Sequence, residues 1–327
     1  MKTFITGSTG FIGASIAREL LKDGRELRVL VRPGSDTSNL SGLDVELWQG
    51  DLLNQESLRQ GLKGCDVLYH AAADYRLWTR SPEEMYSINV GGTESILEAA
   101  LENGVAKVVY TSSVGTLGNP GDGTPGTEDT PVTLADMVGP YKKSKFLAER
   151  VAEKYVSKGL PLVVVNPSTP VGPRDIKPTP TGKIIVDFLK RKMPAYLDTG
   201  LNVIDVEDCA RGHVLAELNG VVGRKYILGN ANLTLRDIFV LLEEITGLSA
   251  PRVRLPYLPI LMAAYVNEGF SRVTGREPLI PLAGVQMASK FMFFDSSRSV
   301  RELGLPQTPV KQALSRAVDW FKNNGYV

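Results

Sequence analysis

Eight residues near the start of the chain, Thr6-Gly7-Ser8-Thr9-Gly10-Phe11-Ile12-Gly13, constrain its fold more than any others. They follow a short apolar run, Thr3–Thr6, and lead into Ile12, Ile16, Leu20 and Leu21, whose spacing is helical. The glycines fall as G-x-x-G-x-x-G. Glycine lets a chain turn tightly and lets another backbone or a phosphate come close. A strand, such a turn and a helix N-terminus with free N–H groups make a cradle suited to a pyrophosphate. Gly13 would let the helix pack closely on the strand. The loop therefore predicts a dinucleotide site built on Gly7, Thr9, Gly10, Phe11, Ile12 and Gly13.

The first half of the chain repeats this alternation. Apolar runs at Glu26–Val31, Val45–Trp48, Val67–Tyr69, Val108–Tyr110 and Leu162–Val165 are separated by helical patterns. Six strands with helical crossovers predict an α/β fold, a doubly wound parallel sheet of the Rossmann type. After Asn166 the pattern changes, and residues 166–180 hold five prolines. A smaller mixed α/β C-terminal lobe for substrate is expected there. Residues 1–166 form the dinucleotide-binding domain, with 201–222 and 308–327 returning to it. Residues 167–200 and 223–307 form the discontinuous substrate lobe. The strand Asn202–Val206 is expected to rejoin the main sheet.

Composition narrows the partners. A net charge of +1 over 327 residues gives no field toward nucleic acid or anionic membrane. No run approaches the roughly 18 apolar residues of a membrane span, and the N-terminus has no secretory apolar region. Cys65, Cys209, His70 and His213 match no metal spacing. A cytoplasmic protein with reduced thiols is expected.

The strand ends supply further cofactor contacts. Arg32 ends the second strand, where an acidic residue usually receives a ribose 2′-hydroxyl. A guanidinium suits a 2′-phosphate, so NADP(H) is preferred and NAD(H) remains possible. The alternative leaves Arg32 solvated and gives the hydroxyl to Asp36. Asp51-Leu52 follows the third strand, its carboxylate placed for an adenine amino group or, alternatively, for capping a helix. Ala71, Ala72 and Ala73 follow the fourth strand, where small side chains would let a dinucleotide lie flat.

One tyrosine of eleven, Tyr141, has a lysine four residues on, Lys145, and follows Pro140, a residue suited to a first helical turn. Residues four apart share a helix face. An ammonium beside a phenol favours the phenolate and brings it into range for acid–base work. The fifth strand runs into Ser112-Ser113, hydroxyls at the ligand edge of the sheet. Ser113, Tyr141 and Lys145 then form a catalytic set in which Tyr141 exchanges a proton with a substrate oxygen. Lys145 tunes it and holds the ribose, and Ser113 fixes the oxygen. Ser112 is the alternative to Ser113.

These residues resemble the extended short-chain dehydrogenase/reductases, the NAD-dependent epimerase/dehydratase superfamily. Gly7, Gly10, Gly13, Asp51-Leu52, Asn89 in Ser87-Ile88-Asn89-Val90, Ser113 and the Tyr141/Lys145 pair carry the likeness. Val31-Arg32-Pro33 and Val165-Asn166-Pro167-Ser168-Thr169 are similar to the dihydroflavonol 4-reductase-like branch. The chain is also similar to the hopanoid-associated sugar epimerase group. The resemblance implies that Pro167 and Ser168 border the nicotinamide, that Asn89 supports the active-site helix within the cofactor-binding set, and that the protein is a homodimer. Arg32 departs from the acidic residue usual in sugar-nucleotide epimerases. Val114-Gly115-Thr116 departs from the acidic residues that follow the hydroxyl in dehydratases. An NADP(H)-dependent oxidoreductase working between ketone or aldehyde and alcohol is the leading expectation. The alternatives are a nucleotide-sugar epimerase/dehydratase with tightly bound NAD, and a non-catalytic dinucleotide sensor.

For a small-molecule substrate, hydrophobic or sugar-derived, the expected contacts are Tyr75, Trp78, Arg174 and Tyr196. The apolar stretch Leu255–Val266 is either core or an apolar lip. His213 is read as structural.

Overall fold

The computed structural model describes residues 1–279 and 281–327. The first half holds β1 (Lys2–Thr6), α1 (Phe11–Lys22), β2 (Glu26–Val31), β3 (Glu46–Gln49), α2 (Gln55–Leu62), β4 (Val67–His70), α3 (Pro82–Tyr86), α4 (Gly92–Glu102), β5 (Lys107–Thr111), α5 (Gly139–Ser157) and β6 (Leu162–Pro167). A wider π-turn, Ser87–Gly91, joins α3 to α4. The second half holds β7 (Thr169–Val171), α6 (Pro180–Leu189), β8 (Ala195–Leu197), β9 (Gly200–Asp205), α7 (Val206–Asn219), β10 (Lys225–Leu228), β11 (Ala231–Thr234), α8 (Leu235–Thr246), β12 (Val253–Leu255), α9 (Tyr257–Thr274), α10 (Leu282–Met287), α11 (Ser297–Leu303) and α12 (Val310–Asn323).

Seven parallel strands form the main sheet in the order β10-β6-β5-β4-β1-β2-β3. The strand order reverses between β1 and β4, and that switch point opens a crevice at the carboxyl ends of the strands. Both faces are covered, so the central strands are mostly apolar, and all six residues of β6 are buried. On one face Ile16 and Leu20 of α1 meet Cys209 and Val214 of α7 and Leu303 of α11. On the other, Leu58 and Leu62 of α2, Ile96 and Leu97 of α4, and Ala148, Ala152 and Tyr155 of α5 pack together. The smaller lobe has its own core, with Val171, Ile185, Val203, Phe239, Leu314 and Phe321 at its centre.

Three placements differ from the sequence expectation. The 200–205 strand does not rejoin the main sheet. It pairs in parallel with β7 and antiparallel with β11 in a separate three-stranded sheet. The seventh main strand is instead β10, expected in the small lobe, whose Lys225–Leu228 register against Val164–Pro167. Its Tyr226, Ile227 and Leu228 are all buried, which is what a covered edge of the sheet demands. The terminal helix, expected on the dinucleotide side, packs on α6, α8 and β9. Its Leu314, Ala317 and Phe321 complete the small lobe's core instead. Helix α7 does return to the main sheet, against α1, β5 and β6.

Candidate active site

The switch-point crevice begins at the glycine turn. Gly7 has φ +76°, and a Cβ there would lie 2.6 Å from the Ala72 amide nitrogen. A Cβ on Gly13 would lie 2.2 Å from the Gly7 carbonyl oxygen. The turn therefore closes onto β4's continuation and α1 closes onto the turn. Gly10 is the N-cap residue of α1, with no side chain capping the helix and no acidic residue in its first turn. The first-turn N–H groups and the positive end of the helix dipole thus face the crevice. The Ser8 hydroxyl is buried without a partner. The cradle fits a pyrophosphate on steric, hydrogen-bonding and electrostatic grounds.

Around it the expected residues take distinct positions. Thr9 accepts a 3.2 Å hydrogen bond at its carbonyl from Asn39 Nδ2, while Phe11 is buried and Ile12 half-buried beneath the loop. Arg32 is exposed at the end of β2, and its side chain makes no hydrogen bond or ion pair among the described residues. Asp36, its alternative, is engaged by the Ser38 amide at 2.9 Å. Asp51 does not cap α2. Its Oδ1 accepts from the Leu53 amide at 2.8 Å, and Asn54 is the cap, accepting from Ser57 N at 3.0 Å. Leu52 is buried against Gly92, the first residue of α4. Ala71, Ala72 and Ala73 are half-buried past β4. Pro167 is buried at the end of β6, and the Ser168 hydroxyl beside it is enclosed with no partner.

Helix α5 starts at Gly139-Pro140 and brings Tyr141 beside Ser113, whose hydroxyl favours the ionised phenol. Ser113 Oγ also accepts from the Gly115 amide at 3.0 Å, which fixes its rotamer. Lys145 is buried one turn on, yet its Nζ is directed to the Thr111 carbonyl at 2.7 Å and the Tyr110 hydroxyl at 3.3 Å. Burial lowers its pKa to about 8. The Tyr141 phenol is pushed up by burial, and only the Ser113 hydroxyl opposes that. The expectation that Lys145 lowers the phenol's pKa is corrected here, because the ammonium is held by β5. The phenol is accordingly protonated at neutral pH and poised to donate.

Ser112 is engaged within the protein. Its hydroxyl donates to Glu149, a carboxylate with no exposed surface. Glu149 also receives Thr116 Oγ1 at 2.8 Å, Asn166 Nδ2 at 3.0 Å and Lys225 Nζ at 2.5 Å. Burial would raise its pKa, but Lys225 and these hydroxyls outweigh that and hold the carboxyl below its ordinary range. Asn89 is likewise committed. Its Oδ1 accepts from Asp74 N at 2.7 Å, and its Nδ2 donates to Asp74 O and Ser144 Oγ, both at 2.9 Å. Ser144 Oγ in turn donates to the Tyr141 carbonyl at 2.8 Å. With both donors and one of its two acceptor sites engaged, Asn89 is a positioning residue that ties the post-β4 loop to α5.

Two groups escaped the sequence reading. His70 Nδ1 lies 2.7 Å from Thr6 Oγ1, and its Nε2 3.0 Å from Thr93 Oγ1, linking the glycine turn to α4. A histidine ending a strand was the available signal. Lys142 has its Cγ and Cε 3.6 Å from where a Gly115 Cβ would stand, and that same point is 3.2 Å from Ser113 Oγ. No carboxylate pairs with it among the described residues. Burial first, and the Lys290 charge second, lower its pKa to about 8. An ammonium next to Tyr141 with no acid three or four residues away was visible in the sequence.

The substrate candidates divide. Tyr75 is exposed, and its hydroxyl donates to the Lys177 carbonyl at 3.5 Å. Trp78 is half-buried. The Arg174 guanidinium pairs with Glu207 at 3.2 Å, next to the Arg316–Asp205 pair. Tyr196 stands edge-on to Phe239, with ring centroids 6.1 Å apart, in the small lobe's core. His213 bonds Thr111 Oγ1 and the Cys209 carbonyl and is structural, as expected.

The two buried imidazoles make stability pH-dependent. Burial lowers the His70 pKa to about 3 and the His213 pKa to about 4. Unfolded histidine titrates near pH ~6.5, so the unfolded state binds the extra protons in between. Their contribution is complete above about pH 6.5 and is lost as pH falls toward the folded values, at up to about 1.4 kcal/mol per unit for each ring. Urea unfolding at pH 7 and pH 5 checks this. Equal free energies at the two pH values would show that the rings are not held neutral.

Similarity to known proteins fits this geometry. The model of the NAD dependent epimerase/dehydratase family matches residues 3–229. A Synechocystis protein provisionally named dihydroflavonol 4-reductase is 47% identical over 99% of this chain and 95% of its own length. Sterol demethylase protein B of Methylococcus capsulatus is 33% identical over 100% of both chains. Among solved structures, gox2253 superposes with a TM-score of 0.90 at 46% identity, covering 99% of each chain. PA4631, a nucleoside-diphosphate-sugar epimerase from Pseudomonas aeruginosa, gives 0.83 at 27%, covering 100% of this chain and 99% of its own. The likeness thus extends to both the reductase and the sugar-epimerase branches, and none of these relatives bears on the hopanoid-associated group. With its glycine cradle and its matched family model, the chain belongs to the NAD dependent epimerase/dehydratase family and is an NAD(P)-dependent enzyme.

Proposed function

We propose that the enzyme interconverts a ketone or aldehyde and an alcohol on a small metabolite, with Tyr141 as acid/base. The single observation that carries this is the Tyr141 phenol, its pKa pushed up by burial, set beside Ser113 at the carboxyl end of β5. A bound nicotinamide dinucleotide supplies or takes the hydride. Ser113 holds the substrate oxygen, and Tyr141 gives that oxygen its proton during reduction or removes it during oxidation. Lys145, anchored on the Thr111 carbonyl, keeps a positive charge beneath the site. The enclosed Ser168 hydroxyl supports Pro167-Ser168 as the border of the nicotinamide pocket. Carbonyl substrates bearing a carboxylate or phosphate belong first in any screen, since no carboxylate pairs with Lys142 among the described residues.

A second reading is nucleotide-sugar epimerase or dehydratase chemistry with tightly held NAD. The family description and the PA4631 likeness support it more directly than they support net reduction. A dTDP-glucose 4,6-dehydratase, DesIV, whose structure holds NAD, shares the fold with a TM-score of 0.79. Reductases among the curated relatives support the first reading. Both readings share the same proton and hydride steps and differ in whether the hydride stays with the product. Purified enzyme is to be assayed at 340 nm with ketones, aldehydes and nucleotide sugars. Stoichiometric consumption of added NADPH supports net reduction. Product formation without added nicotinamide, by protein that retains NAD on gel filtration, supports the second reading.

Arg32 supports NADP(H) over NAD(H), because an exposed guanidinium at the end of β2 suits a 2′-phosphate. Arg32→Asp is expected to raise KM for NADPH by about tenfold to a hundredfold, the loss of one charge-assisted contact of about 1.5–3 kcal/mol. Equal KM values for NADPH and NADH in the unaltered enzyme would remove the assignment.

A further inference from the structure

Helix α9 turns its apolar side outward. Over its 18 residues, Leu258, Met262, Tyr265, Val266, Phe270 and Val273 are all exposed, and Val266 and Val273 are 76% and 87% exposed. Their spacing of three, four, seven and eight places them on one face. The opposite face buries Ala264 and Ser271 and rests on α10. Single exposed hydrophobics are ordinary, but six large ones in one stripe mark an interaction surface. No helix among the described residues is long and apolar enough to cross a membrane. A helix of this kind lies along an interface instead, about 27 Å of it at 1.5 Å per residue.

Charge identifies the occupant. Arg252 and Arg254 precede the helix, Arg272 closes its last turn, and Arg276 follows. Against these four stand Asp198, 2.8 Å from Arg254, Glu268, 3.5 Å from Arg272, and Glu277, which leaves a net positive charge around the helix. Arg254 and Arg272 have side chains 66% and 76% exposed. A second copy of this chain fits poorly. Antiparallel pairing of α9 would set the Arg252 end against the Arg272 end, and parallel pairing would set each arginine against itself. Anionic lipid headgroups neutralise both ends while the stripe enters the acyl boundary.

The stripe also adjoins the active site. Gln286 of α10 donates to the Tyr265 hydroxyl at 3.4 Å. A Cβ on Gly139, two residues before Tyr141, would lie 3.2 Å from Ala283 of α10. Helix α10 thus stands between the apolar stripe and the first turn of α5.

We propose that α9 docks the enzyme on anionic bilayers, so that a lipid-soluble substrate passes over α10 toward Tyr141. The substrate clause rests on the proposed carbonyl/alcohol chemistry, and the docking clause does not. Vesicle co-sedimentation separates them, because it needs no turnover. The full chain is to be mixed with vesicles of pure phosphatidylcholine, and with vesicles of equal parts phosphatidylcholine and phosphatidylglycerol. Binding to the mixed vesicles is expected to be roughly tenfold tighter or more. Val266→Glu combined with Val273→Glu should abolish it at these solvent-facing positions and leave the thermal shift with NADPH unchanged. Unaltered protein that stays in the supernatant, or a double variant that still sediments, overturns docking. So does light scattering showing a dimer that the double variant dissolves, since a second copy would then own the face.

Discussion

Tyr141→Phe should lower kcat by about 10²- to 10⁴-fold, the usual contribution of one positioned proton donor, with the fold and nucleotide affinity nearly unchanged. The substitution removes one oxygen, the one set beside Ser113. The ring stays, and so does the packing of α5. Turnover measured at saturating cofactor, beside a thermal melt, is the check. A variant that keeps kcat within about threefold would remove Tyr141 from the chemistry. The structure sharpens the reason for the effect. Burial keeps the phenol protonated, so reduction finds its proton already in place, and oxidation requires that the phenol first give it up. Activity toward alcohols should therefore rise with pH more steeply than activity toward ketones.

Glu149→Ala is expected to destabilise the protein by about 3–5 kcal/mol, the range for removing one partner from a buried ion pair. Against a total of about 5–15 kcal/mol for a domain, that is a large fraction. The carboxylate is the common acceptor for Ser112, Thr116, Asn166 and Lys225. Its loss leaves an ammonium and two hydroxyls facing a cavity between β5, β6 and β10. Glu149→Gln should recover part of the loss through its remaining oxygen, but not the charge. Urea midpoints of the three proteins at pH 7 give the comparison. Near-equal midpoints would mean that Lys225 finds water instead.

The sheet was legible because its strands are covered on both sides and so read as unbroken apolar runs such as Val163-Val164-Val165. The glycine turn was legible because close approach at Gly7 and Gly13 admits no side chain. The Tyr141–Ser113 pairing followed from strand ends and helix starts lying at one edge. Other features depend on contacts distant in sequence. Whether Lys145 faces Tyr141 or the Thr111 carbonyl is decided by a rotamer, and the spacing of four is silent on it. Ser112 and Ser113 are neighbours of the same type, and only the buried Glu149, thirty-odd residues on, distinguishes them. Arg174 reads as a loop cation until Glu207 is brought beside it. The exchange of β9 for β10 turned on two short strands, and pairing partners alone separate them.

The late arrival of β10 sets a condition on synthesis. Strand β6 ends at Pro167, but its outer neighbour begins at Lys225, after β7, α6, β8, β9 and α7 have been made. A nascent chain that has completed the first six main-sheet strands therefore carries a fully apolar, unpaired border until the ribosome has delivered that later stretch. Such a border templates wrong pairings. Fragments cut anywhere before residue 228 inherit the same defect and should collect in inclusion bodies, whereas a break placed beyond it spares the sheet.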